Sequence, residues 1–133
     1  MLTKEIRVPF HLCDAARIMF FGSFFEIYHM FLEEQLPNMG IDWNTWFMQT
    51  TGAPVRGATV QYDHPLVFGG VYKAKLWVKR IGDSSVTFHF EMGTDEKCHA
   101  FTDITHAFVD FQKRTKTSIP KEIRLSLEGH LQA

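Results

Sequence analysis

The chain has 133 residues, 45% of them hydrophobic, with 14 basic and 15 acidic side chains and a net charge of −1. That length makes one domain, able to bury roughly two thirds of the surface its unfolded chain exposes. The near balance of charge leaves no broad electrostatic footprint for nucleic acid or a membrane surface, and no apolar run reaches the roughly 20 residues of a membrane-spanning helix. The opening MLTKEIRVPF alternates like a strand and lacks the apolar stretch of a signal peptide. Two cysteines, Cys13 and Cys98, make no disulfide framework and suit a reducing compartment. A single cytoplasmic domain over residues 1–133 is therefore expected.

In chain order, Ile6, Val8 and Phe10 alternate with Glu5, Arg7 and Pro9 as a first strand, and Pro9 marks it as an edge. A short irregular segment around Asp14 follows. Gly22-Ser23 then opens the most strongly amphipathic stretch, about 23 to 36, closed by Pro37 and Gly40. Phe24, Ile27, Tyr28, Phe31, Leu32 and Leu36 share one helical face. Ser23 and Glu26 have the spacing of a capping box, in which each side chain satisfies a backbone N–H at the helix start. A second, shorter helix is expected from Asp42, its cap, to Met48, with Trp43, Trp46 and Phe47 at helical spacing.

From residue 53 the pattern turns to strands. Val55 to Tyr62 is one, interrupted by Asp63-His64-Pro65. Val71 to Ile81 and Ser84 to Met92 alternate around the turn at Gly82-Asp83. Residues 93–97 make a polar hairpin loop, and Ala100 to Phe111 reads as one further long strand. Pro120 starts a short terminal helix that ends near Gly129. The architecture is α+β, one long helix inserted early and then a meander of antiparallel strands. A single sheet covered by one helix keeps open edges and an open outer face, which argues for a homo-oligomer that joins sheets.

Asp14 stands shortly before a helix whose first amides are free to bind negative charge. Such a pairing fits acyl transfer, where a carboxylate attacks or deprotonates water and backbone donors hold the developing oxyanion. Asp is equally at home as a turn or cap residue. Cys13 has no nearby histidine pattern and reads as a structural thiol. Seven histidines are scattered without a metal-ligand spacing, so no metal site is expected. His29 follows Phe25 by one turn and is a candidate acyl contact, though a satisfied interior histidine is the commoner role. Lys79-Arg80 and Lys113-Arg114 are paired basic residues at strand ends.

The segment Leu12-Cys13-Asp14-Ala15-Ala16-Arg17-Ile18-Met19-Phe20-Phe21 resembles the D-x-D-x-A-G-I/V-plus-aromatics motif of the hot-dog fold acyl-CoA thioesterases, in their 4-hydroxybenzoyl-CoA thioesterase-like branch. Tyr62 to Gly69, Gly82-Asp83-Ser84-Ser85 and Pro120 fall where that family has an aromatic, a proline and glycine, a serine-bearing turn and a late proline. The likeness covers about residues 3 to 127.

It implies a hot-dog fold, one central helix wrapped by an antiparallel sheet of about five to six strands. It also implies hydrolysis of an acyl-CoA thioester, with an aromatic acyl group suggested by the branch, without metal or redox cofactor, coenzyme A being part of the substrate. Asp14 takes the position of the catalytic carboxylate, and the backbone N–H near Phe21 that of the oxyanion donor. Phe20, Gly22 and His29 are candidate substrate-binding residues, as is Arg17, which either covers the site, touches coenzyme A phosphate or alters the activity. Lys79, Arg80, Lys113 and Arg114 are candidates for the coenzyme A phosphates, although charged strand ends are commonplace. A homodimer or homotetramer is implied, with no nucleic-acid or membrane partner. Two positions depart from the motif: Leu12 replaces its first acid and Arg17 its glycine. Those departures motivate a second reading, a non-catalytic acyl-CoA binding or regulatory module. Hot-dog dehydration, a third reading, needs a His–acid pair that the Asp14 segment offers only through His11.

Overall fold

The computed structural model describes residues 1–47 and 50–132, with Phe47 described by its backbone alone. Five antiparallel strands form the main sheet: β1 (Leu2–Arg7), β3 (Val55–Tyr62), β4 (Val71–Ile81), β5 (Ser85–Gly93) and β6 (Cys98–Ala107). Their order across the sheet is β1-β4-β5-β6-β3, all antiparallel. The helix α1 (Ser23–Gln35) lies against the inner face of this sheet, and α3 (Lys121–Glu128) packs beside β4. Short elements complete the chain: α2 (Trp43–Phe47), β2 (Thr51–Gly52), β7 (Val109–Asp110) and β8 (Thr115–Lys116), the three strands forming a small second sheet in the order β2-β7-β8.

The period-2 alternation read along β4, β5 and β6 is the alternation of buried and half-buried residues seen there. Leu76, Val78, Val86, Phe88, Phe90, Met92, Ala100 and Ile104 face inward, against Phe24, Ile27, Tyr28, Phe31, Leu32 and Leu36 of the α1 region. Phe90 is central, its ring centroid 5.3, 5.7 and 5.5 Å from those of Phe24, Tyr28 and Phe31. Burying each such side chain contributes about 1.5–3 kcal/mol. Both sheet edges carry unpaired backbone: β1 pairs only with β4, and β3 only with β6. Beyond the reach of β1, the chain end covers β4, with the Val78 N–H on the His130 carbonyl and the Gln132 N–H on the Val78 carbonyl.

Several expectations shift. The capping box does not form: Gly22 is the N-cap, already in helical geometry (φ −71°, ψ −24°), and no side chain caps the helix. The Ser23 N–H bonds the Phe20 carbonyl instead, closing a turn that leads straight into α1. The first strand stops at Arg7, because the chain tightens into a 3-10 turn over Phe10–Leu12. The long last strand is broken at Phe108, which is buried; its N–H turns to the Ser84 carbonyl and its carbonyl accepts from Thr117. Asp42 caps α2 as expected, its Oδ1 accepting the Asn44 N–H at 2.8 Å. Met48, the expected end of that helix, lies outside the described residues. Trp46 goes into the core against Phe88, His106 and Phe108.

Because Phe90 joins three aromatic rings of α1, Phe90→Ala is expected to lower the unfolding free energy by about 3–5 kcal/mol. Chemical denaturation with an unchanged slope checks this.

Candidate active site

Asp14 begins a tight turn. Its N–H bonds the Ile18 carbonyl at 2.9 Å, its carbonyl accepts the Arg17 N–H at 3.0 Å, and its Oδ1 accepts the Ala16 N–H at 2.8 Å. One carboxylate oxygen is thus oriented by the turn, and the other has no hydrogen-bond partner among the described residues. Arg17 closes the turn with φ +63°. The motif's glycine position does require left-handed backbone, and an arginine adopts it here at a cost of about 1–2 kcal/mol. The Arg17 side chain is exposed and is not among the residues lining the adjoining cavity. Leu12 is buried in the core, so the motif's first acidic position points away from solvent in this chain.

The cavity has a volume of about 600 Å³ and is lined by Asp14 and by residues 18–21 and 62–66. That size is typical of small-molecule sites. Phe20 and Phe21 lie on it with their rings 4.7 Å apart, both substantially exposed. The Tyr62 hydroxyl donates to the Phe21 carbonyl, and burial pushes the phenol above its usual range, so it stays a donor. Among the described residues nothing accepts the N–H of Phe21 or Gly22, immediately before α1. Asp14 and Phe21, the residue just before the helix start, therefore line one open space, whereas Gly22 is not among its lining residues; a carboxylate beside a helix-start amide is what acyl transfer to water requires. Gly22 adjoins the ring of Phe20; a Cβ there would come within 3.1 Å of it.

Asp63 and His64 also line the cavity; the sequence marks them as a strand break and as part of the Tyr62–Gly69 segment of the family likeness, without a role at the site. Cys13 sits beside Asp14, its thiol donating to the Pro9 carbonyl at 3.4 Å. Burial and the Asp14 carboxylate push that thiol above its usual range, which leaves it a poor nucleophile, as expected.

The remaining candidates lie elsewhere in the subunit. His29 is exposed, not interior, and borders two smaller cavities, of about 340 and 210 Å³, beside Tyr28, Val55 and His106. Lys79 and Arg80 line a groove of about 550 Å³ on the outer sheet face, with Thr59, Thr87, Asp103 and Thr105. A register shift between Val78 and Arg80 puts Lys79 at a bulge, and its ammonium pairs with Asp103 at 2.5 Å. Burial raises the Asp103 carboxyl, but Lys79 and His89 together hold it below its usual range. Lys113 and Arg114 occupy the exposed turn between β7 and β8. None of these four basic residues shares the Asp14 cavity within one subunit.

Residues 8–127 match the family model described as the thioesterase-like superfamily. The chain belongs to this superfamily. Among curated relatives, the 1,4-dihydroxy-2-naphthoyl-CoA hydrolase of Nostoc punctiforme is 28% identical over 127 residues, covering 95% of this chain and 86% of that protein. The protein of the same name from Prochlorococcus marinus is 27% identical, over 90% and 85%. Among solved structures, a putative thioesterase from Prochlorococcus marinus superposes with a TM-score of 0.89 at 25% identity, over 97% and 95% of the two chains. A gentisyl-coenzyme A thioesterase superposes at 0.82 with 20% identity over 95% and 99%, a likeness of fold. The expected hot-dog architecture and thioester-hydrolase class are those of this thioesterase.

Two expected outcomes follow from the geometry. Arg17→Gly relieves left-handed strain but loosens the unfolded chain, so thermal melting should show a gain of up to about 1 kcal/mol. His106 is buried, donating from Nδ1 to the Ala53 carbonyl and accepting at Nε2 from the Tyr28 hydroxyl, both at 2.7 Å. Burial pushes its pKa down from 6.5 to about 4, so between those values the unfolded chain binds the extra proton. The stabilisation is complete above pH 6.5 and is lost as pH falls towards 4, on the order of 3 kcal/mol in all. Urea unfolding at pH 7, 5.5 and 4 should show this loss, and His106→Gln should flatten it.

Proposed function

We propose that this thioesterase hydrolyses an aromatic acyl-CoA, with Asp14 and the Phe21-region amide as its reacting machinery, and that it works as a homodimer. The carrying observation is that Asp14 and Phe21 line one cavity of about 600 Å³ whose walls include Phe20 and Tyr62. Aromatic side chains favour flat aromatic ligands through offset or edge contacts. The curated relatives named above are called hydrolases of an aromatic acyl-CoA, which supports the same substrate class.

Asp14 attacks the thioester carbonyl or takes a proton from the water that does. In either route the carbonyl oxygen becomes an oxyanion held by the amides before α1, the C–S bond breaks, and coenzyme A leaves as its thiolate. Water supplies the acid's second oxygen. Hydrolysis involves no net redox change and the thioester is already activated, so no redox cofactor or metal is invoked. Leu12 and Arg17 do not count against turnover, because Leu12 belongs to the core and Arg17 keeps the turn's backbone geometry.

The dimer follows from the free edge of β3, whose residues are exposed except for half-buried Val60. In this reading two copies pair antiparallel along their β3 edges. The cavity bordered by Val55 and His29 lies beside that edge, and His29 is offered there as an acyl contact. On the outer face, the Lys79–Arg80 groove includes Gly57 and Thr59 of the same strand; with Lys79 paired to Asp103, Arg80 is offered as its positive charge for coenzyme A phosphates. Lys113 and Arg114 are offered for the same role. The two cysteines are free, in keeping with a cytoplasmic setting, and no helix among the described residues is long and apolar enough to cross a membrane.

Thiol release from a panel of acyl-CoAs tests the substrate class. Aromatic esters should exceed straight-chain esters of similar size by about tenfold or more in kcat/KM; a preference for straight chains would contradict it. Sedimentation should give twice the subunit mass at micromolar concentration, whereas a monomer would remove the proposed interface.

A further inference from the structure

Residues 63–70 form a strap that leaves the sheet after β3 and returns at β4, and three backbone contacts join the Asp14 loop to it. Two of these contacts are hydrogen bonds, the Met19 N–H on the Leu66 carbonyl at 2.8 Å and the Phe68 N–H on the Arg17 carbonyl at 2.9 Å; the third, the antiparallel bridge of Ile18 to Val67, is the pairing those two bonds create. The Asp14 turn is thus tied to the strap on one side, and to Leu12 on the other through the Phe20 N–H.

Two buried side chains hold the strap from beneath. His99, on β6, accepts the N–H groups of Asp63 and His64 at its carbonyl, at 2.8 and 3.0 Å. Its ring Nδ1 lies 2.9 Å from the Pro65 carbonyl, and a carbonyl only accepts, so Nδ1 carries the proton. Tyr72, on β4, accepts the Val67 N–H at its hydroxyl oxygen at 2.9 Å, and its ring lies 4.9 Å from that of His99. Both residues are nearly inaccessible, at 9% and 7%. With Nδ1 protonated, Nε2 of His99 is a buried acceptor, and it has no partner among the described residues. A buried unpaired acceptor opposes stability, so packing alone would favour an apolar residue here.

We propose that His99 and Tyr72 are positioning residues for the thioesterase reaction: a buried pair that fixes the strap, and through it the direction of the Asp14 carboxylate. The proposal rests on the reading of Asp14 given above. Displacement of a reacting group by about 1 Å is enough to cost on the order of a hundredfold in rate.

The test is steady-state kinetics with a turned-over acyl-CoA, beside thermal melting, for His99→Leu, His99→Asn, Tyr72→Phe and Asp14→Asn. His99→Leu loses the bond to Pro65 but also removes the unpaired acceptor, so its melting temperature should stay near that of the wild type. Its kcat should fall about 10- to 100-fold with KM changed less than about threefold. Asparagine places an amide N–H where Nδ1 stood, so His99→Asn should recover most of kcat. Tyr72→Phe should lower kcat several-fold with little change in KM, and it decides the matter if His99→Leu does not fold. Unchanged kcat in His99→Leu or Tyr72→Phe, or losses in both His99 variants that track melting temperature, would overturn the proposal. Asp14→Asn at the wild-type rate would overturn the reading of Asp14 instead.

Discussion

One helix has to cover one face of a five-stranded sheet, and most of the molecule follows from that constraint. The α1 face that meets the sheet is built of phenylalanine, tyrosine, leucine and isoleucine, large enough to fill the span between β1 and β3. Phe90 at the sheet centre touches three of those rings. With the helix so committed, its N-terminus emerges beside the point where β3 gives way to the strap, and the amides of Phe21 and Gly22 have no acceptor among the described residues. The Asp14 cavity lies where the longest helix among the described residues begins.

The same constraint leaves the β3 edge open. A short hydrophobic core cannot cover an edge strand, and exposed backbone on such a strand invites pairing with a second copy. The exposed β3 edge borders the cavity near His29 through Val55 and Ala58, and Tyr62 at the end of the same strand lines the Asp14 cavity and bonds the Phe21 carbonyl.

Much of this was legible in the sequence. The alternation in β4, β5 and β6 and the helical face of α1 are local patterns, and both lie where periodicity put them. The Asp14 motif located the cavity, even with Arg17 in the glycine position, because the turn is set by backbone bonds that arginine can still satisfy. What could not be read depends on contacts distant in the chain. The break at Phe108 is fixed by Ser84 and Thr117. Ser23 lost its capping role because the preceding turn made Gly22 the cap. His99 looked like one of seven scattered histidines until the strap was seen to rest on it. His29 looked interior from its spacing, yet it lies just beyond the buried stripe of α1.

In the proposed mechanism the Asp14 carboxylate cleaves a thioester in the cavity beside Phe21. The most direct test is the rate of free thiol release by Asp14→Asn against wild type, with the same acyl-CoA and with ester binding measured on both. A loss of about 10²- to 10⁴-fold in kcat with binding retained is the expected result. A rate within a few-fold of wild type would contradict the account and move the reaction to another group in the cavity.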